Sequence, residues 1–560
     1  MRLIIFSMLI GFIFTLPNSD SFCQGGNVNS AAAVDLKSSN LPIVIVDTPH
    51  DVIYDEPKVI SKIYIIDNGE GKRNNITDPY TFTGEIGIEI RGSSSQSFPK
   101  KQYGVEVVDS AGEDLKVPLL GLPKESDWIF SAPYSDKSLM RNALMYKMSN
   151  SIGRYASRSK YFELILDNKY VGVYVLFEKV KRDKNRVNIA KLTEADTAGV
   201  DLTGGYIIKV DKEEGSNYGG WYSPFIPFSG SGWRIFYQYD TPKPDNISVQ
   251  QQDYIQNYIY DFESTMKTSK YADPDSGYSS FIDVDSFIDY ILMNEISKNV
   301  DGYRLSAFFH KDKDKDDTKS KLIAGPVWDY NLAFGNADYY DASLTDGFYI
   351  SYLFNSFPHD DYAAPFWWKV LFNDESFHDR LNKRWNELRK NEFSLTTINT
   401  YIDSLTTLLD EAKTRNFQKW PVLGTYVWPN YFIGNSYPEE IGYLKNWIKK
   451  RVEWLDKQFP ASSDGVNDNI VTAGEFNLYQ NYPNPFNPTT NFDFVIPSSG
   501  LVTLRIYDLT GREIATLLDK EMLHGKYTVS FDASGYSSGI YFAELRYGNM
   551  RKATKIMLLK

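Results

Sequence analysis

The sequence predicts an α+β protein that ends in a small antiparallel β-sandwich, and three observations predict it. Residues 83 to 92 and 101 to 108 alternate apolar and polar positions, the pattern of half-buried strands. Between 375 and 458, apolar residues recur at helical spacing in NDESFHDRLNKRWNELRK, LTTINTYIDSLTTLLDEAKTR and PEEIGYLKNWIKKRVEWLDKQF. The tail then breaks into FDFVIP, LVTLRIYD, YTVSFDA, GIYFAELRY and KATKIMLLK. Each of these runs is bounded by Gly, Pro, Asn or Asp turns, and short strands so bounded make a sandwich.

The N-terminus, MRLIIFSMLIGFIFTLPNSDSFCQGG, has a basic residue, an apolar run and then small polar residues. That order marks a secretory signal peptide over 1–23. Cleavage before Gln24 removes Cys23, the single cysteine, so disulfides, cysteine nucleophiles and Cys-ligated zinc are excluded from the mature chain. Phe22 stands where a lipoprotein signal needs a small residue. No other run reaches the roughly 18 apolar residues of a membrane span, so no transmembrane segment is expected after cleavage. A linker at 24–40, a main domain at 41–460, a polar linker at 461–474 containing ASSDGVNDN, and a tail domain at 475–560 complete the division.

The chain has 560 residues, 42% of them hydrophobic and 15% aromatic, enough for a large domain and a smaller one. With 72 acidic against 60 basic residues the formal charge is -12, which disfavours non-specific binding of DNA, RNA or anionic lipid. No nucleic-acid partner is expected. The five histidines are scattered, none in a ligand pair such as HExxH, and His310 reads as strand-end surface.

The richest stretch is 294 to 336. YRLSAFF and KLIAGPVW read as two strands joined by the charged segment KDKDKDDTKSK. A hairpin folded about residue 315 sets Asp301 opposite Asp329. Alternation in extended chain then puts Asn299 on the face of Asp301 and Asn331 on that of Asp329. Two Asn-Asp pairs, oxygen-rich and without His or Cys, suit a hard cation such as Mg²⁺ and leave one carboxylate as a base. The plainer alternative is that all four are strand-end and turn polars.

Other motifs carry weaker signals. The Gly-Ser run 92 to 97, containing Ser94 and Ser95, is a turn rich in donors that can lie over phosphates, with Lys100 or Lys101 supplying positive charge. Taken alone, such a turn is more often a plain hairpin. Glu178 ends the run VGVYVLFE and opens KVKRDKNR, placed to pair with a lysine, or at the surface with Lys179 or Lys181. Arg141 starts a helical pattern after an Asp136 to Ser138 cap and either reaches phosphate or closes a salt bridge. DKDKDD at 312–317 lacks the sixth-position Gly and distal Glu of an EF-hand loop. SGSGW at 229–233 reads as a hairpin turn, and Trp385, Trp447 and Trp454 as packing residues.

Five segments occur in one order: EIRGSSSQSFPKKQYGVEV, DWIFSAPYSDKSLMRNALMY, YFELILDNKYVGVYVLFEKVKRDKNRVNI, GGYIIKVD, and NVDGYR followed by AGPVWDYNLAFGN. Together, over about 40 to 460, they resemble the spore-coat CotH kinase family of atypical protein kinases. The resemblance implies an atypical protein-kinase-like catalytic domain that uses ATP with Mg²⁺ or Mn²⁺ and transfers phosphate to a Ser or Thr hydroxyl of a protein substrate. Asp301 would be the catalytic base, with Asp329 and Asn331 holding the metal and Asn299 a candidate second ligand. Ser94, Ser95, Lys100, Lys101 and Glu178 would belong to the nucleotide site. The family usually carries a second acidic residue after the Trp-Asp pair, where this chain has Asn331, whose amide oxygen can still ligate Mg²⁺. CotH-like proteins also include cell-surface invasion factors, so a non-catalytic adhesin on the same fold is the alternative. A glycoside hydrolase, with carboxylates in an aromatic cleft near FWW at 366–368, is a third reading.

In the tail, NLYQNYPNPFNPTT, IYDLTGREI, SSGIYFAEL and KIMLLK resemble the C-terminal sorting domain of the type IX (Por) secretion system. This implies export by the type IX secretion machinery across the outer membrane of a Bacteroidetes-like bacterium, ending in surface anchoring or release.

Overall fold

The computed structural model describes residues 35–50, 52–213, 219–315, 318–355, 363–461, 476–497, 500–522 and 525–560. The expected signal peptide with Cys23, and the polar linker from 462 onward, lie outside the described residues.

The first part of the chain is a closed barrel. Its elements run β1 (Ser38–Ser39), β2 (Ile43–Asp47), β3 (Val59–Ile66), β4 (Asn74–Asn75), β5 (Phe82–Arg91), β6 (Gln102–Val108), β7 (Asp127–Ser131), α1 (Arg141–Ser151), β8 (Ser159–Leu166) and β9 (Lys169–Glu178). Seven strands close in the order β2-β3-β5-β6-β7-β9-β8, and a parallel β2-β8 pairing makes the seam. Closure leaves no unpaired strand edge. Alternation fills the interior: Tyr103, Val105 and Val107 of β6 are buried together with Ile63, Ile86 and Phe162. β1 and β4 form a separate two-residue ladder.

The second part packs helices around a five-stranded sheet. It contains β10 (Tyr206–Val210), β11 (Gly220–Tyr222), β12 (Phe236–Thr241), α2 (Val249–Met266), α3 (Val284–Ser297), β13 (Ala307–Lys311), β14 (Leu322–Ala324), α4 (Tyr349–Asn355), α5 (Trp367–Asn373), α6 (Glu375–Leu388), α7 (Leu395–Leu408), α8 (Ala412–Lys419) and α9 (Tyr437–Gln458). The sheet order is β11-β12-β10-β13-β14. SGSGW lies in the connection of the β11-β12 hairpin. Helix α3 is buried along nearly its whole length, and its polar residues Asp289, Asn294 and Glu295 are buried with it. Trp367 and Trp368 pack on its Phe287, so FWW belongs to the core and lines no sugar cleft. Trp385 and Trp447 are buried too.

Two expectations need correction here. The helical pattern over 395–415 is two helices, because the chain turns at Leu409; Leu409 and Ala412 are both fully buried, so the apolar spacing runs on through the break. His310 lies within β13 and is half-buried, its Nδ1 3.1 Å from the Gly325 carbonyl.

The tail comprises β15 (Asn477–Leu478), β16 (Thr489–Ile496), β17 (Gly500–Tyr507), β18 (Glu513–Met522), β19 (Gly525–Asp532), β20 (Gly539–Tyr547) and β21 (Met550–Leu558). Antiparallel sheets β15-β16-β19 and β18-β17-β20-β21 enclose their own core, with Phe492, Leu504 and Leu545 at its centre. β18 is absent from the strands expected from sequence. It is an edge strand in which only Leu518 is buried, so little alternation is required of it. Among the described residues no helix is long and apolar enough to cross a membrane.

Candidate active site

The hairpin is present but short. β13 pairs with β14 only over Phe309↔Ala324, His310↔Ile323 and Lys311↔Leu322, and both Asn-Asp pairs lie in loops beyond the strand ends. Strand register and face alternation therefore do not bring Asp301 to Asp329. Two anchored loops do.

The first loop leaves α3 through Lys298, left-handed at φ 46°. Gly302 follows where the chain runs so close to α3 that a Cβ would stand 1.9 Å from Asn294 Oδ1. The second loop is pinned from both sides. Asp329 N donates to Tyr146 Oη (3.2 Å) and Tyr330 N to Asn142 Oδ1 (2.6 Å), both on α1. On the α3 side, Tyr330 Oη donates to Asn294 Oδ1 (2.7 Å) and Phe334 N to the Ser297 carbonyl (2.7 Å). Asn299 joins the loops: its Nδ2 donates to the Asp329 carbonyl, and its Oδ1 accepts from Asp301 N, each at 3.3 Å. Asp329 itself is left-handed at φ 62°. Asp tolerates that region better than most residues, and such strain clusters at functional sites.

The charge of Asp301 acts on Asp329. Asp329 is exposed to solvent, yet the protein around it raises its carboxyl to about 6, and the charge of Asp301 adds to the rise. The Arg91 guanidinium opposes this, Asp211 adds a smaller negative charge and Lys212 a smaller positive one. Asp301 is likewise raised by burial and held down by Arg304, whose Nη2 is 3.2 Å from Oδ1. Carboxylates whose ionisation is penalised by their surroundings are stabilised when a cation arrives.

A narrow cleft of about 40 Å³ opens at Asp329 and Asn331, and Ser95, Phe98, Gln102 and Asn142 are among its other lining residues. Asn331 Oδ1 is buried without a hydrogen-bond partner. An orphaned carbonyl-type oxygen beside a strained carboxylate fits a hard cation, which takes oxygen ligands. Asn299, in contrast, commits both ends of its amide to the backbone.

Of the serine turn, Ser95 reaches this cleft, whereas Ser94 is exposed, its carbonyl accepting from Ser97 Oγ (2.7 Å). The turn is a 3₁₀ helix over Ser94–Ser97, started by Gly92 at φ 106°, where a Cβ would lie 2.0 Å from Ser95 Oγ. Lys100 points inward, as expected of one of the two lysines, but its Nζ donates to the Val173 carbonyl (2.6 Å) and Asn416 Oδ1 (2.8 Å). Lys101 Nζ donates to the Gln96 carbonyl (2.6 Å).

Glu178 is fully buried at the end of β9 and pairs with an arginine, not a lysine. Arg158 Nε and Nη2 reach its carboxylate at 2.8 and 2.6 Å. Lys179 and Lys181 turn instead to Asp127. Arg141 closes a buried salt bridge to Asp136 Oδ1 (2.6 Å). Sequence reasoning assigned nothing to Arg91 or Asp211. Each closes a quoted motif strand, β5 or GGYIIKVD, and position at a strand end beside the loops was the only available signal.

No curated protein matches the chain. Residues 480–559 match the family described as "Secretion system C-terminal sorting domain", which marks the protein for export, to the cell surface or the surroundings. Residues 88–455, well over half of the chain and including every residue of the cleft, match the family described as "CotH kinase protein", and the chain belongs to that family.

Proposed function

We propose that this exported protein is an atypical kinase that transfers phosphate from ATP to a Ser or Thr hydroxyl of a protein substrate, using Mg²⁺ or Mn²⁺. The observation that carries the reading is the cleft itself, where Asp329 and the unpartnered Oδ1 of Asn331 face Ser95 of the serine turn and Asp301 is electrostatically coupled to Asp329. A barrel set against a helical part, with the polar cleft between elements of both, also suits a kinase-like division of labour. Export would proceed through the type IX machinery that reads the sorting tail.

Asp329 and Asn331 would hold the metal, which when bound neutralises charge on the phosphates. Ser95 would hydrogen-bond phosphate oxygens. Asp301 takes the proton of the acceptor hydroxyl as that oxygen bonds to the γ-phosphorus and the bond to the bridging oxygen of ADP breaks. Burial raises the proton affinity of Asp301, which suits a base. Asn299 fixes the spacing of the base and the metal ligand rather than supplying a ligand. Positioning and charge provide most of the rate in phosphoryl transfer, so this short roster suffices.

The test incubates the mature protein with labelled ATP and Mg²⁺ or Mn²⁺, beside Asp301→Ala and Asp329→Ala, and follows label on the protein and on a Ser-rich acceptor. Transfer by the wild type that both variants lose supports the reading. No transfer and no thermal stabilisation by nucleotide with metal rejects it.

One observation favours a second reading, a non-catalytic surface adhesin. A cleft of about 40 Å³ is far below the roughly 300 Å³ or more of small-molecule sites. A kinase must therefore open this cleft to admit ATP, whereas an adhesin need not.

A further inference from the structure

Arg91 is the last residue of β5, immediately before the serine turn. Its guanidinium carbon lies 5.9 Å from the centroid of the Trp328 ring, the residue preceding Asp329. Its main chain pairs with Gln102, which lines the cleft with Ser95, Asp329 and Asn331. Arg91 is the foremost cation acting on Asp329, and Asp329 the foremost charge acting on Arg91. Both lysines of the neighbouring strand are committed elsewhere, Lys100 to Val173 and Asn416 and Lys101 to Gln96.

Resting on the phosphoryl-transfer reading, we infer that Arg91 is the cation that positions the nucleotide phosphates, stacked on Trp328 beside the cleft and turning from the charge of Asp329 to phosphate when a metal ion takes that carboxylate. The chemistry suits the residue. A guanidinium stays charged where burial would neutralise an ammonium, and its planar fork grips phosphate through two parallel hydrogen bonds. Stacking against Trp328 limits the directions in which the fork can point. Arg91 and the metal ion are both positive and both draw on Asp329, so they oppose one another until phosphate charge is present to share.

This predicts effects of opposite sign from one substitution. In the full mature chain, Arg91→Met should bind Mn²⁺ alone severalfold more tightly, because a neighbouring cation is gone. The same variant should bind ATP with Mg²⁺ about tenfold or more weakly, because a charge-assisted fork is lost. Arg91→Lys should keep wild-type Mn²⁺ affinity and recover only part of the ATP affinity. Calorimetry with Mn²⁺ alone, and with ATP plus Mg²⁺, reads all of these without turnover. Arg91→Met that binds ATP as the wild type does overturns the inference alone. So does a variant that loses affinity for both Mn²⁺ and ATP, which would make Arg91 a structural support, and so does full recovery in Arg91→Lys. If the wild type itself fails to bind ATP with Mg²⁺, the phosphoryl-transfer reading falls and this inference falls with it.

Discussion

Asn299 and Asp329, 30 residues apart in sequence, are joined by a hydrogen bond from the Asn299 amide to the Asp329 carbonyl. The same side chain accepts from the backbone of Asp301, so one amide sets the distance between the proposed base and the proposed metal ligand. Asn299→Ala should therefore lower transfer by about ten- to a hundredfold, the cost of leaving a buried group unpaired. Nucleotide affinity should change much less. Equal losses in binding and turnover would show that Asn299 supports the fold generally.

Metal affinity should depend on pH through Asp329. Its carboxyl is raised to about 6, so it is ionised at pH 7 and carries a proton below 6 that a metal ion must displace. Mn²⁺ affinity should fall by up to about tenfold per pH unit below that point. In Asp329→Asn this acid limb should vanish along with most of the affinity. A wild-type affinity flat from pH 7 to 5 would remove Asp329 from the ligand set.

Glu178 offers a clean separation of structure from chemistry. It is fully buried and gripped by Arg158, itself partly exposed. Glu178→Gln should cost roughly 2 to 3 kcal/mol of stability, less than a wholly buried pair because solvent screens the arginine. If Glu178 also orients the nucleotide site, ATP affinity should fall as well. Lost stability with unchanged ATP affinity would confine Glu178 to the barrel.

A second buried carboxylate lies on α2, outside the lining of the cleft. Glu263 of α2 accepts from Ser223 Oγ (2.7 Å) and Tyr237 Oη (2.8 Å), and burial raises it to about 7. A carboxyl raised in the folded state keeps a proton that the unfolded chain has released. Its stability contribution is full below the unfolded value near 4.5 and is lost as pH rises through about 7. Glu263→Gln should thus gain stability over the wild type between pH 5 and 8, on the order of 3 kcal/mol in all. Parallel melting profiles of the two proteins over that range would contradict this.

The sandwich has a core of its own and matches a sorting domain. Deleting residues 476–560 should leave the protein inside the producing cell, as seen by fractionation, without altering ATP affinity.

Sequence alone determined the parts whose signals are local. Alternation in β5 and β6, helical spacing in α6 and α9, and turn-bounded strands in the tail each reside in a few consecutive residues, because pleat and helix repeat at 2.0 and 3.6 residues. The motifs around Asp301 and Asp329 were equally legible as chemistry. Tertiary structure decided how they meet. The hairpin register that would oppose the two aspartates ends before reaching them, and α1, α3 and Asn299 hold the loops instead, through hydrogen bonds with partners up to 188 residues away. It also chose among cations. Nothing in KK or EK says that Lys100 will bind Asn416 of α8, that Glu178 will take Arg158, or that Arg91 will be the foremost cation acting on Asp329. Charge partners are fixed by which surfaces the core brings together, and that packing has no period a sequence can display.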